Sequence, residues 1–438
     1  MTELYFIPII MFGSLLVVII AGIPLAFATS GVAIVCAYML WGHKSIAVIV
    51  SHSMGTMSNW ILVAVPLFIF MAMVLDKTGV IADIYDSFHK WLGSLRGGLA
   101  AATTLVGAMM GAMTGIAAGT VSALGLIALP QMLKYKYNKN IAIGSVLVGG
   151  TLGQLIPPST LMIVYGAITG VSVGGLFAGG MTCGLMLAAI FCFFILVASY
   201  FKKDLCPIPP PEGRVGLREK FTSSKGIVLP VLLIMAVLGS IFSGMATPTE
   251  ASAVGCIGAL ICALVKRTFR WSSIMEASMG TLKITAMVGW ITIGALIFGG
   301  VFTAVGGDKL ILEISAMLPL GRWGAFIMVM VVILFLGMFL DTVAIIVICA
   351  PLFSPLAIQL GFDPLWFGLT IMVNLQAAYL TPPFGYSLFY VKAIAPGGVT
   401  LEDIYRASLP FVALQLVGLV LVVVFPPIAT WLPSILIK

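Results

Sequence analysis

Apolar runs long enough to cross a bilayer recur from one end of this chain to the other, and they restrict its fold more than any other feature. Tyr5–Ile20, Val228–Ile241 and Gly418–Phe425, each part of such a run, contain no charged residue. A helix spanning hydrocarbon needs about 20 predominantly apolar residues. Only helices and closed barrels satisfy their backbone polar groups there, and runs of this length specify helices. Charged residues make up only 8% of the 438 positions, where a soluble domain carries about 25%. A soluble fold could not cover its surface with so few. The sequence therefore predicts an all-α polytopic membrane protein.

The remaining composition excludes more than it adds. A net charge of +7 could suit nucleic acid, but the Lys and Arg residues sit between apolar spans, as juxtamembrane residues do. The seven cysteines form no CxxC pair, and six lie in apolar segments as small core residues. His43, His52 and His89 fall in loops or surface helices, which argues against a metal site. No basic segment precedes Tyr5–Ile20, so a cleaved signal peptide is not expected.

Ten crossings are expected, near 4–21, 24–40, 60–76, 140–169, 175–200, 227–246, 248–266, 281–305, 364–394 and 405–432. Two further apolar stretches, 97–135 and 321–360, are too long for one crossing and too short for two. Each has glycine near its midpoint, Gly115 and Gly119 in one and Gly337 in the other. Re-entrant helical hairpins are the economical reading, and such backbone is tolerated only where it is buried or lines a cavity. With both hairpins re-entrant, eighteen of the 22 Lys and Arg residues fall on one side, which the positive-inside rule makes cytoplasmic. Both termini would then face outward.

The two halves resemble each other. At an offset of 224, Pro24 and Gly31 fall on Pro248 and Gly255. At 225, Pro130, Pro157, Pro158, Tyr165 and Leu176 fall on Pro355, Pro382, Pro383, Tyr390 and Leu401. Five crossings per half is odd, so residues 1–201 and 226–438 should be inverted repeats. The proline-rich stretch 202–225 would link them on the cytoplasmic side. Inverted repeats with broken helices meeting near the midplane are a transporter pattern.

The chemistry should lie at the breaks. Gly150–Ser159 (GTLGQLIPPS) and Tyr379–Tyr386 (YLTPPFGY) each put a proline pair inside a crossing, and proline breaks the helix there. The break frees backbone carbonyls around Gly153, Pro157 and Pro158, and around Pro382, Pro383 and Gly385. With the Thr151, Ser159 and Thr381 hydroxyls these are hard oxygen ligands suited to Na⁺. At the first hairpin tip, the hydroxyls of Thr114, Thr120 and Ser122 flank Gly115 and Gly119, although the glycine ladder itself also reads as helix packing. At the second tip, Gly337–Thr342, Asp341 precedes Thr342. It is either an intramembrane functional acid or a helix cap. Glu250 fits a capping box with Thr247 and Pro248. Walker A, HExxH and GxSxG motifs are missing, so neither an enzyme nor an ATP-driven pump is expected.

Four segments in this order, Gly150–Gly166, Ala246–Gly255, Gly337–Thr342 and Asn374–Pro396, resemble the large membrane subunit of tripartite ATP-independent periplasmic (TRAP) transporters, over nearly the whole chain. The resemblance implies a bacterial inner-membrane permease with an elevator-type transport domain and Na⁺ coupling. It implies two protein partners, a small four-helix membrane subunit and a periplasmic binding protein that captures an organic acid such as a C4-dicarboxylate, sialic acid or a keto acid. It implies one Na⁺ site from the first tip and Gly150–Ser159, with Thr114 and Thr151, and a second from Gly337–Thr342 and Thr381–Gly385, with Asp341 and Thr381. Three departures stand out. The first tip lacks the serines common in the family, Gln376 replaces a frequent Glu, and Gln154 replaces an aliphatic residue. They suggest a branch handling monocarboxylates or keto acids. A free-standing Na⁺- or H⁺-coupled anion carrier of inverted-repeat fold is the competing reading.

Overall fold

The apolar sequence folds wholly into helix; among the described residues there is no strand. The structure, a computed structural model, describes residues 2–115, 117–207 and 216–437. The first half contributes α1 (Thr2–Ile20), α2 (Leu25–Trp41), α3 (Ser45–Met57), α4 (Ala64–Lys77), α5 (Val80–Leu92), α6 (Gly98–Thr114), α7 (Ala117–Lys134), α8 (Lys139–Leu152), α9 (Thr160–Thr169) and α10 (Val173–Phe201). The second contributes α11 (Leu217–Phe242), α12 (Pro248–Val265), α13 (Trp271–Ala304), α14 (Gly307–Met317), α15 (Arg322–Gly337), α16 (Thr342–Gln359), α17 (Pro364–Leu380), α18 (Tyr386–Ile394), α19 (Leu401–Val424) and α20 (Pro427–Leu436). Nine helices among the described residues are long and apolar enough to cross a membrane, and ten if α14 and α15 are taken as one span bent by 117°.

The hairpins and broken crossings form where glycine and proline place them. α6 ends at Gly115, in the left-handed conformation at φ 61°, which glycine adopts without a Cβ penalty. α15 and α16 meet over Met338–Asp341. Each proline pair interrupts a crossing, α8 from α9 and α17 from α18, and both Pro–Pro peptide bonds are cis.

Packing pairs the halves reciprocally. α2 lies on α13 as α12 lies on α4. α7 packs on α18, the half-helix after the other half's break, and α16 packs on α9 in the same way. The second arm of each hairpin is thus clasped by the opposite half.

Four expectations change. The stretch before Trp60, outside the expected crossings, is helical (α3) and packs on α2 and α13. α13 begins at Trp271, ten residues before its expected span. The last crossing divides at Pro426–Pro427 into α19 and α20. The expected linker is shorter than 202–225, since α11 begins at Leu217 and anchors its first turns on α5. There, Ser87 Oγ donates to Ser223 O at 2.7 Å and Trp91 Nε1 to Ser224 Oγ at 2.9 Å. Pro209, Pro210, Pro211, Arg214 and Lys438 lie outside the described residues.

Ion pairs link the segments between the spans. Lys77–Glu276 (2.7 Å), Lys90–Asp86 (2.7 Å), Lys139–Asp403 (3.1 Å), Arg406–Glu402 (2.6 Å) and Lys266–Asp83 join residues from the Lys- and Arg-rich side. Glu250 forms the capping box, with Thr247 N donating to its carboxylate at 2.8 Å and its own N–H donating to Thr247 Oγ1 at 3.3 Å.

Candidate functional site

Both tips sit directly on broken helices. In the first half, Gly107 and Gly111 of α6 lie against Gly149 of α8 and Gly153 just after it, so close that a Cβ at Gly111 would overlap the Gly153 Cα. The ladder is therefore a packing surface, and it brings tip to break. A Cβ at Gly115 would stand 2.7 Å from Pro158 O, and Thr160 Oγ1 donates to Gly115 O at 3.1 Å. In the second half, Gly337 abuts Ala378, and the Phe339 and Phe384 rings meet at 5.5 Å.

The breaks are closed in matching ways. Ser159 Oγ donates to Gln154 O at 2.6 Å, and Ser387 Oγ donates to Tyr379 O at 2.6 Å. In the second break, Tyr405 Oη donates to Pro383 O at 2.6 Å and Gly385 N to Thr381 O at 3.1 Å. A carbonyl oxygen has two lone pairs, so each of these can still accept a further donor or a cation.

A cavity of about 190 Å³ opens where tips and breaks converge. The first half lines it with Gly115, Ala117, Gln154 and Thr160. The second half adds Asp341, Thr342, Tyr379 and Tyr390. Ile284, Met287 and Val288 of α13 form an apolar wall. Among the described residues, no three His, Cys, Asp or Glu side chains come together. The oxygen donors here are hydroxyls, backbone carbonyls, the Gln154 amide and the Asp341 carboxylate.

The expected site residues thus separate into two groups. Gly115, Asp341 and Thr342 line the cavity. Asp341 caps α16, accepting from Val343 N at 3.1 Å through one carboxylate oxygen, so the capping role is present. Thr114 and Thr120 bond to each other across the first tip at 2.8 Å. Thr151, Gly153, Pro157, Pro158 and Ser159 are buried around the first break. Thr381 Oγ1 donates back to Ala377 O at 2.7 Å. Gly119 faces open space, and a Cβ added there would meet nothing within 4 Å. Sequence reasoning missed Thr160, Tyr379 and Tyr390 as lining residues, and the α13 wall entirely. Thr160 directly follows the first proline motif and Tyr379 opens the second, so both could have been read as rim; the wall is visible only in three dimensions.

One bond locates the centre of the arrangement. Gln376 Nε2 donates to Thr151 Oγ1 at 3.3 Å. These residues are 225 apart, the offset of the internal repeat, so equivalent positions of the two halves touch.

Comparison with known proteins agrees with the fold. Residues 12–428 match the family model of the tripartite ATP-independent periplasmic transporter, DctM component. The chain is 34% identical to the C4-dicarboxylate TRAP transporter large permease protein DctM of Pseudomonas aeruginosa, over 90% of this chain and 91% of that protein. It is 31% identical to the protein of that name from Vibrio cholerae, over 95% of each. It is 28% identical to the sialic acid TRAP transporter large permease protein SiaM of Vibrio cholerae, over 95% of this chain and 96% of that one. Among solved structures, the Alcanivorax borkumensis YdaH transporter shares the fold, with a TM-score of 0.64 at 14% identity over 89% of this chain and 91% of that chain. The chain is thus a multi-pass membrane transport protein, and it belongs to the family of the DctM component, the large permease of tripartite ATP-independent periplasmic transporters.

Proposed function

We propose that this permease imports a small organic acid together with Na⁺ across the bacterial inner membrane. The convergence of both tips, Gln154 of the first break and Tyr379 just before the second on one cavity with polar groups from both halves carries the reading. Hydroxyls and carbonyls are hard donors suited to a small cation, and the adjoining cavity has room for a small acid. Na⁺ would lie at the tip-and-break junctions, near Thr114 and Thr151 in one half and Asp341 and Thr381 in the other, with backbone carbonyls completing each shell. The clasped hairpins and broken helices would move as one body against the apolar face of α13, an elevator-type step. The charge bias supports an orientation with the Lys- and Arg-rich face cytoplasmic and both termini outside.

A periplasmic binding protein would deliver the substrate, and a small four-helix membrane subunit would complete the assembly. The names of the relatives, covering C4-dicarboxylates, sialic acid and ectoine, support small organic acids and zwitterions as the substrate class. The departures at Gln154 and Gln376 favour a monocarboxylate or keto acid. The test is uptake into proteoliposomes with and without a Na⁺ gradient and the cognate binding protein. Uptake should require both. Robust uptake by the large subunit alone would favour a free-standing carrier, and uptake indifferent to Na⁺ would overturn the coupling.

A further inference from the structure

Two glutamines reach across the boundary between the halves in opposite directions. Gln154, in the first break, donates its Nε2 to Thr342 Oγ1 of the second tip at 3.2 Å. Gln376, one turn before the second break, donates its Nε2 to Thr151 Oγ1 of the first half at 3.3 Å. Each amide thus holds the hydroxyl of a threonine that stands beside the opposite half's tip or break.

Both bridges are anchored behind. Gln376 Oε1 accepts from Gln415 Nε2 at 3.3 Å, and the same Gln415 amide donates to Val373 O at 3.0 Å. Thr151 Oγ1 passes the chain on by donating to Val148 O at 3.2 Å. The donors run in one direction, from α19 through α17 into α8. Gln376, Gln415 and Thr151 are fully buried, and Gln154 is 6% exposed. Gln154 is held at its backbone as well, where its carbonyl accepts from Ser159 Oγ. Its Oε1 is buried without a hydrogen-bond partner, and so is the Oε1 of Gln415.

Buried amides make these links consequential. A hydroxyl rotates freely until a partner fixes it. Each glutamine occupies a lone pair of a threonine oxygen and so sets where that oxygen can accept next. If one half shifted alone, an amide would be left unsatisfied in the interior, which is costly. Independent rearrangement of the two broken-helix regions therefore carries that cost.

We infer that Gln154 and Gln376 are positioning residues that couple the two halves, so that a cation bound at one tip-and-break junction raises the affinity of the other. This rests on the sodium-coupled reading above. Coupling between two sites is a mutual free energy, so it appears as cooperativity whichever site fills first.

Sodium itself is the probe. The purified full-length permease would be titrated with NaCl at constant ionic strength, balanced with choline chloride, and protection read from the thermal unfolding midpoint. The native protein should give a sigmoidal curve. Gln154→Met and Gln376→Met, which keep side-chain length and lose the amide, should flatten it toward a hyperbola and raise half-saturation roughly fivefold, the low end of ordinary coupling. Gln154→Asn and Gln376→Asn stay polar but are too short to reach, and they carry the same expectation if a Met variant does not fold. Gln415→Leu should resemble Gln376→Met in a milder form. Variants that melt earlier without Na⁺ yet keep the sigmoidal response would make the glutamines structural only and overturn the coupling. A hyperbolic native curve would overturn it too. No native response to Na⁺ at all would strike the sodium-coupled reading itself, and the coupling with it.

Discussion

Asp341 can act as a cap, as a counter-charge, or as both, and charge alone separates these roles. Its bond to Val343 N is a capping bond that asparagine makes equally well. Asp341→Asn should therefore leave expression and melting near the native values. If the carboxylate balances a bound cation, the Na⁺ needed for half-maximal uptake should rise sharply. An unchanged Na⁺ dependence would leave only the cap. Thr151→Ala and Thr381→Ala remove one hydroxyl each while the surrounding carbonyls persist. A lost partner costs about 1–3 kcal/mol, and at about 1.4 kcal/mol per decade half-saturation should rise about fivefold to a little over a hundredfold, read from uptake against Na⁺. Asp341 was legible in sequence because an acid inside an apolar stretch is conspicuous. Gln154 stood out there only as a departure from a family pattern. Its bond to Thr342 spans 188 positions, and no local spacing encodes such a contact.

The glycines of the first hairpin differ according to what each helix face meets. Gly111 lies on Gly153 backbone, whereas Gly119 faces open space at the exposed side of α7. Gly111→Ala should separate α6 from α8 and destabilise the fold by about 1–3 kcal/mol, the usual cost of overpacking. Gly119→Ala should be neutral or slightly stabilising, because alanine is the better helix former. Melting temperatures in detergent would compare them, and equal losses would contradict the packing described. Hairpins and breaks could be read from sequence to within a residue or two, since glycine and proline act locally through backbone geometry. α3 and the extended start of α13 could not. Both are apolar enough for loop or helix, and neighbouring helices decide between them: α3 and α13 pack on each other.

The charge count places most Lys and Arg residues on one side, and the ion pairs join residues assigned to that side. If that side is cytoplasmic, Thr222→Cys, exposed at the start of α11, should react with an impermeant thiol reagent only from inside, and Ser434→Cys, exposed in α20, only from outside. Reaction of both from one side would contradict the inverted arrangement. The repeat was legible because prolines mark it at an offset of 224 to 225, while the reciprocal clasping of α7 by α18 and α16 by α9 needed coordinates. The contact of Thr151 with Gln376 has a meaning of its own. Near a two-fold axis each residue faces its own equivalent, so two identical chains would set like against like there. Joining both halves in one polypeptide releases that position from self-pairing. One copy supplies the donor and the other the acceptor, and the bond itself makes the two halves chemically distinguishable at their shared centre.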